Sequence, residues 1–130
     1  RGKTIPALTG KYIFGDISTG NLWWVDYKTL LTADVRAPAR TAEMHPLKVR
    51  WAAAAGAGEV YGSMYPITEL VYHSRGGTAA SLPGAAKVAG GGRSDIHLWA
   101  DSKGELYILS KSDGVIRVVV GATATGRSQE

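Results

Sequence analysis

The chain has 130 residues, of which 45% are hydrophobic and 20% charged, a balance typical of one globular domain and not of a disordered segment. It contains no cysteine, which excludes disulfides, iron–sulfur clusters and cysteine nucleophiles. Its net charge of +4 comes from singly spaced lysines and arginines, which argues against a nucleic-acid surface and leaves an acidic protein partner as the electrostatic option.

The first predicted element is a hairpin in "GKYIFGDISTGNLWWV", residues 10–25, where apolar and aromatic residues without helical spacing flank a turn that ends in Gly20. Adjacent strand residues face opposite sides, so one of Trp23 and Trp24 is expected in the core and the other outside. An outward indole beside Tyr27 is suited to anchor a partner protein or to stack on a sugar. Trp23, Trp24 and Tyr27 are therefore the candidate partner-binding residues.

Residues 29–93 give a mixed pattern. Two leucines flanked by polar residues predict a helical turn or two over 29–34. The segment "LKVRW" predicts a strand that runs into a loop of small residues, and "ITELVYHS", residues 67–74, predicts a further strand. Residues 75–93 are rich in glycine and have no periodicity, which indicates a long exposed loop.

The last predicted element is a meander of three strands over residues 95–120. The segments "DIHLWA", "ELYILS" and "VIRVVV" are separated by turns that contain Gly104 and Gly114. In the second turn, the Asp-Gly pair is able to supply the positive φ angle that a hairpin requires.

The two hairpins resemble each other. "GKYIFGDISTGNLWWV" aligns without gaps on "GELYILSKSDGVIRVV", and the matched pairs are Gly10 with Gly104, Ser18 with Ser112, Gly20 with Gly114 and Val25 with Val119. "GEVY" at Gly58 is a weaker central copy, so the period is close to 47 residues, which is roughly the length of one β-propeller blade. The sequence therefore predicts one all-β domain over residues 1–130, a partial β-propeller of about two to three antiparallel sheets.

A propeller ring needs about four to eight blades, and a shorter piece leaves strand edges without partners. The missing neighbours are expected from a longer chain or from another subunit. A protein partner or further propeller blades are therefore predicted, and no nucleic acid.

Two stretches, residues 10–27 and 90–117, resemble the carboxy-terminal blades of the glucose/sorbosone dehydrogenase family, six-bladed propellers related to soluble quinoprotein sugar dehydrogenases. In the first stretch the resemblance is carried by Tyr12, Phe14, Gly15, Asp16, Gly20, Leu22 and Trp23. In the second it is carried by Arg93, Asp95, Ile96, Asp101, Gly104, Leu106, Tyr107, Asp113, Gly114, Ile116 and Arg117.

The resemblance implies pyrroloquinoline quinone and Ca²⁺ as cofactors, with the catalytic histidine and the calcium ligands in earlier blades. The late blades of the family supply a lysine and an Arg-x-Arg-Asp motif to the quinone carboxylates. Here Ser18 and Thr19 match the lysine, and the motif reads Gly-Arg-Ser-Asp over residues 92–95, which leaves Arg93 as the candidate cofactor-binding residue. Charge-assisted pairs hold such carboxylates, so the sequence predicts no cofactor in this chain, and quinone and calcium only within a longer propeller.

No other motif indicates catalysis. His45, His73 and His97 are far apart and lack the spacing of metal ligands. The segment "GAGEVYG", residues 56–62, lacks the spacing of a phosphate-binding loop. No apolar run approaches the roughly 18 residues of a membrane span. The sequence accordingly predicts no catalytic and no metal-binding residues in this chain.

The sequence is compatible with two functions. The first is a non-catalytic, propeller-like structural or binding subunit of a larger protein assembly, in the periplasm or another extracytoplasmic compartment. The alternative is the carboxy-terminal part of a quinone-dependent sugar dehydrogenase whose active site lies in blades not present in these residues.

Overall fold

The computed structural model describes residues 2–34, 36–37, 40–51, 60–78 and 93–124, and there the protein is all-β, as predicted. Its strands are β1 Lys11–Gly15, β2 Leu22–Asp26, β3 His45–Trp51, β4 Val60–Tyr61, β5 Ile96–Ala100, β6 Leu106–Ser110 and β7 Val115–Ala124. The helices are α1 Tyr27–Thr32, α2 Tyr65–Ser74 and a 3₁₀ turn, Pro6–Leu8.

The strands form one antiparallel sheet in the order β1-β2-β3-β7-β6-β5, with β4 paired to β3 beside this path. The sheet curls until its two edges meet at one end. There the amide of Ser94 donates to the carbonyl of Ser18, and the amide of Asp95 donates to that of Ile17, at 2.8 Å each. The result is a nearly closed barrel with a seam between β1 and β5.

This single sheet differs from the two to three separate sheets that the sequence predicts. The difference comes from β3, which joins the first hairpin to the last meander by pairing with β7, with Leu47 opposite Ala124. Such a pairing between distant segments leaves no mark in the local hydrophobic period. The meander over 95–120 is confirmed as β5, β6 and β7.

The prediction of a strand over residues 67–74 is wrong, because these residues belong to helix α2. Pro66 lies in the first turn, where proline's missing amide costs nothing. Thr68 is buried and Ile67 packs against the core, while Glu69 and His73, one turn apart, lie 3.5 Å from each other. Helix α1 begins at Tyr27, close to the predicted helical turns, and the carboxylate of Asp26 caps it by accepting from the amide of Thr29 at 2.9 Å.

The two hairpins that match in sequence also match in their turns. Gly20 and Gly114 both have positive φ angles, +71° and +67°. The amide of Gly20 donates to the carbonyl of Asp16 at 2.8 Å, and the amide of Gly114 donates to the carbonyl of Ser110 at 3.0 Å. Each turn is therefore five residues long. Residues 58–59 of the central copy and residues 79–92 of the predicted loop lie outside the described residues, whereas residues 60 and 61 of that copy form β4.

The core fills the barrel. It consists of large apolar side chains from five strands and from the residues that directly precede the 3₁₀ turn and α2. These residues are Ile5, Leu22, Trp24, Leu47, Val49, Met64, Ile96, Ile108 and Val119. Burial of this apolar area is the main stabilising term of such a fold.

A polar network lies at the end of the barrel where the seam is closed. The Ser110 hydroxyl donates to the Ser94 carbonyl at 2.7 Å, and the hydroxyls of Ser63 and Ser94 both donate to the carbonyl of Thr19, at 2.7 and 3.3 Å. Buried polar groups are tolerated when they are hydrogen-bonded in this way. The network therefore ties β5, β6 and the turn of the first hairpin together at this end.

Candidate functional site

An aromatic ladder runs along the outer side of β1 and β2. The ring of Phe14 stacks between those of Tyr12 and Trp23, with centroid distances of 6.1 and 6.0 Å. Tyr12 is half exposed, whereas Trp23 is partly covered by the stacking. Trp23 is thus the outward member of the tryptophan pair.

Trp24 points into the barrel and is 1% exposed. Its ring stacks on that of His45 at 4.3 Å, and the ammonium group of Lys11 lies 3.8 Å from its centroid. A side chain held in this way is not accessible to a partner, so the candidate role of Trp24 in partner binding is corrected to a core role. The expectation that the pair divides between core and surface agrees with this geometry.

Tyr27 is the exposed first residue of α1, and its backbone amide donates to the carbonyl of Gly10 at 2.9 Å. The stacked ladder of Tyr12, Phe14 and Trp23 does not include the Tyr27 ring within the part of the chain that the structure describes. Trp23 and Tyr27 are therefore separate surface features.

A larger apolar surface lies on the outer side of β5, β6 and β7. We call it the apolar face, and its residues are Trp99, Tyr107, Leu109, Ile116 and Val118. The strand register places them in two rows that cross the three strands. The first row is Trp99–Tyr107–Val118, and the second is Leu109–Ile116, with His97 next to Leu109 on β5. Trp99 and Ile116, on the two outer strands of this face, are 60% and 63% exposed, which is unusual for large apolar side chains on one continuous surface.

Sequence reasoning did not identify this face, although the signal was present. Apart from Ser110 and Arg117, both alternating sets of residues over 106–110 and 115–120 are apolar, a pattern typical of strands that are covered on both sides. In this chain one side faces the core and the other side lies on the surface.

A groove of about 510 Å³ occupies the open part of the seam between β1 and β5, and we call it the seam groove. Apolar side chains on its lining also pack against or belong to the core: Ile5, Leu8, Ile13, Leu98 and Leu106. Its lining also includes the exposed rings of Tyr12 and Trp99. Polar side chains, among them Lys11 and Ser102, also line the groove, so it is a trough of mixed polarity that runs beside two sheet edges.

Two carboxylates lie at one end of the seam groove. Asp101 accepts from the amides of Glu105 and Lys103 at 2.9 Å each, and these hydrogen bonds, that from Glu105 first, lower its pKa. The Tyr107 hydroxyl lies 3.4 Å from the same carboxylate, and desolvation followed by the Asp101 charge raises the pKa of that phenol. Glu105 accepts from the amides of Lys3 and Thr4 at 3.1 and 3.3 Å, so it holds the amino-terminal segment in place.

Arg93 forms an ion pair with Asp95, with 2.7 Å between Nη2 and Oδ1, and the Arg93 carbonyl accepts from the Ser112 hydroxyl. The amide of Ser18 and the hydroxyl of Thr19 both donate to Asp16, at 2.7 Å each. A neutralised arginine and two neutral hydroxyl residues do not fit the carboxylates of pyrroloquinoline quinone. We therefore derive no quinone chemistry from these residues.

Within the described residues, His, Asp and Glu form no cluster of three or more that is able to hold a metal ion. No helix in that part of the chain is long and apolar enough to cross a membrane. The chain matches no protein-family model, no curated protein and no solved structure. The candidate site is therefore defined by its own geometry, which consists of the apolar face and the seam groove.

Proposed function

We propose that this chain is a non-catalytic binding unit of a larger protein assembly, and that its apolar face packs against a β-sheet of a neighbouring unit. The observation that carries the proposal is the two-row array of exposed apolar side chains on β5, β6 and β7. Contiguous apolar surface of this kind marks interaction sites in soluble proteins.

The composition of the face indicates the kind of partner. Its outward residues include two aromatic rings and three aliphatic side chains, with His97 at the border. Charged residues are depleted in the buried centre of protein interfaces, and aromatic residues are enriched there. Because the rows lie across neighbouring strands of one sheet, the surface that fits them is the face of a second sheet, as in stacked sheets about 10 Å apart.

Three aspartates of the described residues have a structural role in turns and in a helix cap, as expected of a binding unit. Asp16, Asp26 and Asp101 each have a lowered pKa, and in each the largest cause is a hydrogen bond within a turn or a helix cap. Catalytic carboxylates are typically raised or coupled in a cleft. These three stabilise the backbone where the strands end.

The proposal is tested with the double variant Ile116→Lys, Val118→Lys, which places two charges on the apolar face. The matched control is Thr123→Lys, which adds a lysine at an exposed polar position of the same strand. Each tagged protein is mixed with an extract of its source cells and separated by sedimentation. Photo-crosslinking from position 109 then maps the contact.

We expect the wild type and Thr123→Lys to sediment with a larger species and to crosslink from the apolar face, whereas the double variant remains at the mass of the free chain. Far-ultraviolet circular dichroism checks that the double variant is folded. Equal incorporation of all three proteins would contradict the proposal, and so would a wild-type chain that stays at its own mass.

A further inference from the structure

We propose that the seam groove binds an extended peptide segment of a partner protein, which adds to the edge of β1 as a further strand. This inference rests on the proposed binding role, but it concerns a second surface, which shares Trp99 with the apolar face. It follows from three observations: the hydrogen-bonding parity of the two edge strands, which means the alternate residues whose backbone groups point toward the seam, the lining of the groove, and the charge at one end of it.

The parity of β1 is fixed by the hydrogen bonds at its two ends. Tyr27 donates to Gly10, and Asp16 donates to Asn21, at 2.9 Å each. In an antiparallel pair, hydrogen-bonded and non-hydrogen-bonded residue pairs alternate. The backbone groups of Lys11, Ile13 and Gly15 therefore point away from β2, toward the seam.

The same argument applies to β5. Lys111 donates to Asp95 at 3.0 Å, and Asp101 donates to Glu105 at 3.1 Å, so these are the hydrogen-bonded pairs at its ends. The backbone groups of Ile96, Leu98 and Ala100 consequently point into the seam. Both walls of the seam thus carry main-chain donors and acceptors.

The seam is closed at one end only. The two hydrogen bonds from Ser94 and Asp95 close it at the polar end. Toward Lys11 and Ala100, the seam groove separates the edges, and side chains of the amino-terminal segment, such as Ile5, line it. In this open part, neither edge pairs with another strand among the described residues. Strand edges beside such a groove are the arrangement that binds an added strand, because the main chain gives affinity and alternate side chains enter the groove.

Charge complementarity defines the occupant further. Asp101 and Glu105 lie at one end of the seam groove, while the ammonium group of Lys11, which also lines the groove, lies over the Trp24 ring. The occupant is therefore an extended segment with apolar residues at alternate positions and a lysine or arginine at the end that reaches the two carboxylates.

The parity is tested first in the free protein by amide hydrogen exchange followed by NMR. The amides of Ile13 and Leu98 are expected to exchange at least tenfold faster than those of Tyr12 and Trp99, their neighbours that bond within the sheet. Similar protection of all four amides would show that the seam has no free edges, and this would overturn the proposal.

Binding is then tested with a phage-displayed library of random twelve-residue peptides, selected against the purified full chain. We expect enriched peptides to show apolar alternation with a terminal basic residue, and a synthetic copy to protect the Ile13 amide. Ile13→Pro removes one edge donor and no bond to β2, so it should weaken binding at least tenfold, whereas the control Ile13→Val should leave it within twofold.

A second measurement does not depend on the folding of Ile13→Pro. Two copies of the peptide are prepared, one N-methylated at its odd positions and the other at its even positions. One of the two copies should bind weakly, because its methyl groups block the hydrogen bonds to β1, and the other should bind normally. Equal binding of both parities, equal binding of Ile13→Pro and Ile13→Val, or protection confined to the apolar face would overturn the proposal. The double variant on the apolar face should still bind the peptide, so this test and that of the proposed function fail independently.

Discussion

At the scale of single residues, Gly20 and Gly114 show how the same turn conformation is placed in two different surroundings. Both have φ near +70°, where a side chain is strained. A Cβ atom on Gly20 would lie 2.7 Å from both the Cβ of Met64 and the Oγ of Ser94, whereas on Gly114 its nearest neighbour would be Arg75 at 4.0 Å. Gly20 is therefore constrained by packing as well as by its φ angle.

Substitution of each glycine by alanine should separate these two terms. Gly114→Ala should lower the free energy of unfolding by about 1 kcal/mol, the cost of a positive φ angle. Gly20→Ala should cost roughly 1 to 3 kcal/mol more, because the close packing must also yield. Urea denaturation of both variants measures the difference. Equal losses would show that the contacts of Gly20 adjust without cost.

At the scale of elements, the first hairpin depends on the carboxylate of Asp16. This group accepts from the Thr19 hydroxyl and the Ser18 amide, and these two hydrogen bonds, in that order, lower its pKa. A carboxyl whose pKa is lower in the folded state stabilises the fold above its unfolded pKa, near pH 4. That contribution is lost as the pH falls through the folded pKa.

In the variant Asp16→Asn, the free energy of unfolding should therefore depend less on pH in acid than it does in the wild type. The variant should be less stable than the wild type at pH 6, and the gap between them should shrink as the pH falls from roughly 4 to 2. Urea titrations at a series of pH values measure it. Glu43→Gln is the control, because the Glu43 side chain is 79% exposed and its surface ion pair with His45, at 4.0 Å, should contribute less than about 1 kcal/mol. A gap that stays constant with pH would contradict the role of the Asp16 charge.

At the scale of the whole molecule, stability depends on the central strands β3 and β7, which join the two hairpins into one barrel. Leu47 on β3 is fully buried in the core, and its strand partner lies on β7. Loss of its side chain should leave a cavity between the two halves of the sheet.

Leu47→Ala should lower the free energy of unfolding by about 2 to 5 kcal/mol in one cooperative transition. The matched control is Leu31→Ala on α1, where the side chain is 68% exposed and the expected change is below about 0.5 kcal/mol. The measurement is thermal and urea unfolding followed by circular dichroism. Two separate transitions in the wild type would instead indicate that the hairpins fold independently.

Local pattern accounts for much of what the sequence predicts. The hairpin turns at Gly20 and Gly114, the three-strand meander and the division of Trp23 and Trp24 between surface and core all follow from spacings within a few residues. The error at α2 is of the same kind, because a run of eight apolar and polar residues is short enough to fit either a strand or a helix. In that segment, the core contacts of Ile67 and Thr68 favour the helix.

Residue types and neighbours along the chain are sufficient to predict the all-β class, the positions of the tight turns and the absence of cysteine chemistry. The folded chain was needed to show that β3 pairs with β7, that β1 and β5 meet at one end of a seam, and that the apolar face and the seam groove exist. These features depend on contacts between residues that are distant in the chain, and their energies appear only when the sheet has curled.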